Sequence, residues 1–199
     1  MPKHYQVQDR FFKKAKDEGF RARSVFKLEG IQDRYQILKS GMKVLDLGAA
    51  PGSFMQYVSG IVGSKGLVVG VDLTEIAPLK LANAVTYQGD IYDEGLYKKI
   101  VHEKKVRFFD VITSDLAPKT TGIKFVDGSA SLELNLQVLA VSQHYLKTGG
   151  SLVMKILPGF NEGDLIVEAQ KQFATVKKAR PEAIRKSSGE SYVVCLRKL

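Results

Sequence analysis

Cysteine is almost missing from this chain of 199 residues. Cys195 stands alone, so no internal disulfide can form. It lies in the apolar run SYVVCL and is expected to be a small buried residue. A reducing cytosol is the simplest setting for such a chain. No apolar run approaches the roughly 18 residues that would span a bilayer. The opening stretch MPKHYQVQDRFFKKAKDEGF lacks the apolar centre of a secretory signal. These absences predict a cytoplasmic protein with no membrane association. There is also no internal repeat, low-complexity segment or linker, so one domain over residues 1–199 is expected, large enough to bury a sizeable core. Acidic residues are outnumbered, 21 against 30 Lys/Arg, giving a net charge of +9. The imbalance lies at the ends. Residues 1–39 carry ten Lys/Arg against five Asp/Glu, residues 171–199 eight against two, and residues 40–170 twelve against fourteen. If the two ends meet, they form a cationic surface suited to phosphates. The alternative is a solvated basic face that aids solubility.

What is present is a regular alternation. Lys43–Leu47, Gly66–Leu73, Ala84–Asp90, Phe108–Leu116, Gly150–Leu157, Val176–Arg180 and Ser191–Lys198 read as strands. Helical spacing falls between them at Gly52–Gly60, Asp93–Lys104, Ser129–Lys147 and Glu162–Phe173. Pro118–Gly128 reads as the longest irregular stretch and a possible cover for the site. Alternation of this kind implies an α/β fold, a mostly parallel sheet with helices on both faces. Residues 5–36 read as a helical preface, within a basic N-terminal extension over residues 1–39. Tyr5, Phe11, Phe12, Phe20 and Phe26 are its apolar anchors, interleaved with Lys13, Lys14, Lys16, Arg21, Arg23 and Lys27. Such interleaving serves either RNA binding or simple docking of a helix on the core.

Ligands in parallel α/β sheets sit at the carboxyl ends of the strands. The stretch VLDLGAAPGSF, Val44–Phe54, follows that rule: a strand, a carboxylate (Asp46), a glycine turn and a helix start. It lacks the dinucleotide pattern G-x-G-x-x-G, because Gly48 is followed by Ala49, Ala50, Pro51 and Gly52. That argues against a nicotinamide oxidoreductase. A carboxylate before the turn would repel a pyrophosphate but suits a cationic amine. S-adenosylmethionine carries an amino group and a sulfonium, so the loop reads as a methyl-donor site, the alternative being a plain strand-to-helix turn. Asp72 ends the second strand, where a carboxylate commonly holds ribose hydroxyls. Asp90 follows the third and is placed for an adenine edge. Either aspartate could instead be a cap or turn residue. Asp115 ends the fourth strand and Lys155 lies near the end of the fifth.

The acceptor is narrowed by two further absences. After the fourth strand the chain reads SDLAPK, with no aromatic after the proline, unlike the signature of amino-group methyltransferases acting on bases. Carbon-5 methylation of a pyrimidine usually needs a cysteine nucleophile, and Cys195 on the last strand is badly placed. A lysine beside carboxylates can orient and deprotonate a hydroxyl, so oxygen methylation is the better reading.

Along essentially its whole length the chain resembles the FtsJ-like (RrmJ) family of RNA ribose 2′-O-methyltransferases. The match is carried by FRARSVFKL (Phe20–Leu28), LDLGAAPG (Leu45–Gly52), SDLAPKTTG (Ser114–Gly122), VMKI (Val153–Ile156) and RPEAIRKSSGESYVV (Arg180–Val194). The resemblance implies a Rossmann-like sheet of seven strands with only the last antiparallel. It implies a catalytic set of Lys27, Asp115, Lys155 and Glu190. The expected donor contacts are Asp46, Gly48, Ala49, Pro51, Gly52, Ser53, Phe54, Asp72, Leu73, Asp90, Ile91 and Asp115, with S-adenosylhomocysteine as product and no metal. Ser53 and Phe54 replace a glycine and a tryptophan often found in the family, and Ile184 replaces a serine of the C-terminal motif. Lys155 is expected to act as base or as orienting cation. Asp115 and Glu190 favour its charged form, and Lys27 opposes it. The implied acceptor is a uridine ribose in large-subunit (23S) ribosomal RNA, presented on the assembled subunit. A monomer is the default expectation, since the sequence gives no oligomeric state. Transfer RNA as acceptor, and a non-catalytic ribosome-assembly factor, are the alternatives.

Overall fold

The computed structural model describes residues 10–185 and 187–199. Tyr5 lies outside them, so its place as an anchor is not described. In chain order the elements are α1 (Arg10–Asp17), α2 (Val25–Tyr35), β1 (Lys43–Leu47), α3 (Ser53–Val62), β2 (Leu67–Asp72), β3 (Ala84–Gln88), α4 (Glu94–Lys104), β4 (Phe109–Ser114), α5 (Lys124–Tyr145), β5 (Leu146–Ile156), α6 (Glu162–Gln170), β6 (Phe173–Ala179) and β7 (Ser191–Lys198). The seven strands form one sheet in the order β3-β2-β1-β4-β5-β7-β6. The pairings among β1 to β5 are parallel, and β7 runs antiparallel to both β5 and β6. This is the expected Rossmann-like α/β sheet. No described helix is long and apolar enough to cross a membrane.

The central strands are apolar on both faces because helices cover both. Alternation along β1 divides the core. Leu45 and Leu47 belong to one buried cluster, with Leu139 of α5 and Leu165 of α6, while Val44 belongs to the other, with Leu28 of α2 and Val58 of α3. Asp46 therefore points to the α2/α3 face. A small third cluster docks α1: Ala15, Val25, Phe26 and Ala183, with Phe11 and Phe20 against it. Phe12 is exposed and takes no part. Cys195 is buried, as its apolar run implied.

Five boundaries differ from the sequence-based expectation by three residues or so, or shift where one element gives way to the next. Helix α5 begins at Lys124, so the second half of the stretch read as loop is helical, and it ends at Tyr145 rather than Lys147. The Asp127 carboxylate accepts the N–H groups of Thr121 (2.6 Å) and Gly122 (3.1 Å), which fixes the turn entering the helix. Strand β5 starts at once at Leu146, with a register shift against β4 between Phe109 and Val111. Helix α6 stops at Gln170, and β6 starts at Phe173 rather than Val176.

Candidate active site

The carboxyl ends of β1, β2 and β4 meet at one edge of the sheet. There the Asp46 side chain is fully buried. Thr113 of β4 donates its hydroxyl to Asp46 Oδ1 at 2.7 Å, and Oδ2 has no hydrogen-bond partner. Burial pushes this carboxyl up to about 8, with the charges of Asp115 and Asp72 adding to the effect. A buried carboxylate oxygen left without a donor is costly, and a cationic group would relieve it.

The loop after Asp46 is fastened to β2. The N–H groups of Gly48 and Ala49 both donate to Val71 O, Ala50 N–H donates to Asp72 Oδ2 (2.9 Å), and Gly52 N–H donates to Ala49 O. With the N–H groups of Gly48, Ala49, Ala50 and Gly52 engaged, the glycine turn offers a smooth wall for close approach. Gly48 has φ +74°, and a Cβ there would lie 2.9 Å from the backbone nitrogen of Leu116, so any larger residue would push β1 and β4 apart. Asp72 also accepts from Thr74 N–H at 2.8 Å. It therefore braces the loop while keeping lone pairs for a further donor. Asp90 is exposed, and its Oδ1 accepts from Tyr92 N–H in a local turn. Leu73 is exposed, whereas Ile91 is buried. Ser53 and Phe54 turn away from the loop: Ser53 meets the Ser24 hydroxyl (2.9 Å), and Phe54 packs in the α2/α3 core. Arg21, grouped by sequence with possible RNA-binding cations, donates instead to the carbonyls of Pro51, Ala77 and Pro78. It clamps the far side of this loop.

The four charged residues taken from the motifs form two ion pairs. Lys155 Nζ lies 3.2 Å from Asp115 Oδ1 and also donates to the Asp115 carbonyl. Lys27 Nζ lies 2.7 Å from Glu190 Oε1. All four side chains are mostly buried, with exposures from 9% to 18%. Lys155 stands opposite Tyr192 in the β5–β7 ladder, so Glu190 enters the same edge of the sheet. Tyr192 donates its hydroxyl to Asp115 Oδ1 at 2.6 Å. Burial and the fields of Asp115, Glu190 and Asp46 hold that hydroxyl protonated, far above the ordinary range of a phenol. Asn135 of α5 donates to the Lys155 carbonyl at 2.9 Å and fixes the end of the strand. Thr113 and Asn135 were not singled out from the sequence, and the loop contacts of Arg21 were not anticipated there. Tyr192 stood inside a quoted motif without a role.

The basic ends of the chain do meet. Arg23 donates to the Ala183 carbonyl, and Arg10 pairs with Glu182. Arg23, Ser24, Lys27, Arg185, Ser188 and Glu190 line a cavity of about 340 Å³. Burial, then the nearby Arg185 charge, lowers the Arg23 guanidinium from its usual value. A larger cavity of about 600 Å³ between α4 and α5 contains none of the four paired residues.

A sheet of this order, with a buried carboxylate and a tight glycine loop after its first strand, defines a Rossmann-like methyltransferase. The FtsJ-like methyltransferase model matches residues 20–198, and the chain belongs to that family. It is 44% identical over 194 residues to a ribosomal RNA large subunit methyltransferase E from Bdellovibrio bacteriovorus, covering 98% of each chain. A protein of the same name from Syntrophobacter fumaroxidans is also 44% identical, over 97% of each. Among solved structures, a Plasmodium falciparum protein assigned as a ribosomal RNA methyltransferase is similar with a TM-score of 0.80 and 27% identity, over 90% of this chain and 99% of that one. Fibrillarin from Aeropyrum pernix, solved with natively bound S-adenosyl-L-methionine, shares the fold at a TM-score of 0.63 and 17% identity, over 87% and 76%. The family implies S-adenosylmethionine as cofactor. The unpartnered Asp46 Oδ2 and the close-approach wall at Gly48 fit its cationic methionine end.

Proposed function

We propose that this protein transfers a methyl group from S-adenosylmethionine to the ribose 2′-hydroxyl of a uridine in large-subunit (23S) ribosomal RNA, acting as a cytoplasmic monomer. The observation that carries this reading is the pair of buried lysine–carboxylate contacts, Lys155–Asp115 and Lys27–Glu190, at the sheet edge that holds the donor loop. The names of the relatives support the acceptor. The Arg23–Arg185 cavity beside Lys27 suits the phosphates of an RNA strand.

Asp46, Gly48, Ala49, Pro51, Gly52 and Asp72 would hold the donor's methionine and ribose, with Leu73, Asp90 and Ile91 at its base and Asp115 beside its reactive end. The bound donor supplies a methyl group on a positively charged sulfur, which departs as a neutral thioether. The protein's part is mainly positioning. Lys155, held in place by two contacts to Asp115, orients the ribose hydroxyl and stabilises the negative charge that develops on its oxygen. The hydroxyl proton becomes strongly acidic as the carbon–oxygen bond forms and is lost to water. Lys27 and Glu190 fix the ribose from the other pair.

The test is tritiated methyl transfer to unmethylated large subunits, with the RNA digested to nucleosides. Label in 2′-O-methyluridine is expected. Label on a base would overturn the reaction type.

Asp46 gives a pH dependence. Its folded value is raised, from the ordinary carboxylate range to about 8. The unfolded chain therefore sheds this proton first, and the group removes stability as pH rises from about 4 to about 8. A bound cation reverses the penalty. The rise in melting temperature produced by saturating S-adenosylhomocysteine should thus be larger at pH 7.5 than at pH 6. Asp46→Asn should flatten that difference, and an unchanged pH dependence would exclude Asp46 from the donor site.

A further inference from the structure

The start of α5 exposes three apolar side chains in succession around one lysine. Phe125 is 73% exposed, Ile123 60% and Val126 44%. Among the described residues nothing covers them, yet the segment is firmly held. Asp127 accepts the Thr121 hydroxyl (2.9 Å) as well as the Thr121 and Gly122 N–H groups. This carboxylate is held below its usual range by those bonds, so it is occupied in bracing the turn. On the other side the Lys124 carbonyl packs so closely on Gly159 that a Cβ at Gly159 would sit 1.8 Å from it. Gly159 follows β5, the strand that carries Lys155, and the segment leading into α5 follows β4 and Asp115. The apolar tip is thus braced between the two connections that leave the Lys155–Asp115 pair. Its charged neighbours in the chain are Lys119, Lys124 and Asp127, and the carboxylate of Asp127 is engaged by Thr121 and Gly122, which leaves the two cations for a ligand.

An exposed ring on a rigid turn, flanked by lysines and placed beside a site for ribose chemistry, has the make-up of a nucleobase-stacking contact. A protein surface would be matched by apolar bulk alone. An RNA strand also uses the two lysines. On the RNA-methylation reading above, we infer that Phe125, supported by Ile123 and Val126, stacks on a base of the acceptor RNA next to the target nucleotide. It thereby holds the target ribose open to Lys155. Phe125 is a positioning residue, remote from the reacting atoms.

The test compares wild type, Phe125→Ala and Phe125→Tyr. Binding of a fluorescein-labelled single-stranded uridine-rich RNA is followed by anisotropy, beside methyl transfer to large subunits and to protein-free ribosomal RNA. Phe125→Ala should weaken RNA binding and raise KM for both acceptors by roughly tenfold to a hundredfold, the range of one lost stacking contact. Its kcat, donor affinity and melting temperature should stay near wild type, since the ring is exposed. Phe125→Tyr should restore binding to within about twofold. Unchanged RNA binding in Phe125→Ala, with normal methyl transfer by the wild type, would overturn the stacking role and leave the reaction standing. A loss confined to assembled subunits would instead assign the ring to a ribosomal protein and overturn the stacking role. A wild type that transfers no methyl, with the Phe125 effect on RNA binding intact, would overturn the reaction and keep the contact.

Discussion

Replacing Lys155 with alanine should lower methyl transfer by about 10³-fold while leaving donor affinity within about threefold of wild type. Positioned groups that handle the proton or charge of a reacting hydroxyl contribute typically ~10²- to 10⁴-fold, and Lys155 is the cation at the end of β5 that faces Asp115. Its side-chain contacts are to Asp115 and not to the glycine loop after β1, so donor binding should not depend on it. Both kcat and kcat/KM for RNA should fall together, the pattern of an interaction made in the transition state. Asp115 keeps Tyr192 as a donor in the variant, so the fold should survive. Single-turnover rates, with donor binding measured by calorimetry, decide the matter. Lost donor affinity with normal turnover at saturation would remove Lys155 from the chemistry.

The second large effect concerns stability. Tyr192 is fully buried in β7, in the cluster that contains Val44, Val153 and Ala179, and its hydroxyl reaches Asp115. Tyr192→Ala removes a large ring from a core with little freedom to collapse. It should cost about 3–5 kcal/mol, as other aromatic truncations do, and lower the melting temperature by roughly 10 °C in a domain of this size. Tyr192→Phe keeps the ring and gives up one hydrogen bond, so it should cost only about 1 kcal/mol. Thermal melts of the two variants separate packing from the polar contact. Equal losses would mean that the hydroxyl, and not the ring, holds β7 in place.

Much of the fold was legible because burial on both faces writes itself into the strands as continuous apolar runs. KVLDL, LVVGVD and FDVITS could be placed from composition alone, and the glycine turn marked the end of the first strand. Boundaries failed where tertiary contacts overrule local preference. The start of α5 is set by Asp127 reaching back to Thr121 and Gly122, and β5 begins directly at the helix end because Leu146 pairs with Phe109. The candidate site was legible in its parts that follow strands: Asp46, Asp72, Asp115 and Lys155. Lys27 and Glu190 sit in a helix and a polar loop with no local mark of function. Their motifs identified them, and the structure then paired them at 2.7 Å. The clamping role of Arg21 and the part played by Thr113 were missed because a surface-like arginine and a strand threonine have many uses. Only three-dimensional contact shows one clamping the glycine loop and the other holding Asp46.

Acceptor choice, with the modified nucleotide mapped, tests the central claim most directly. Large subunits from a methylation-deficient strain, protein-free ribosomal RNA and transfer RNA would each be incubated with the protein and tritiated S-adenosylmethionine. The expected result is label on the ribose of one uridine in the large-subunit RNA, most strongly in the assembled subunit. Label only on transfer RNA would contradict the acceptor, and no label on any RNA despite intact donor binding would contradict catalysis itself.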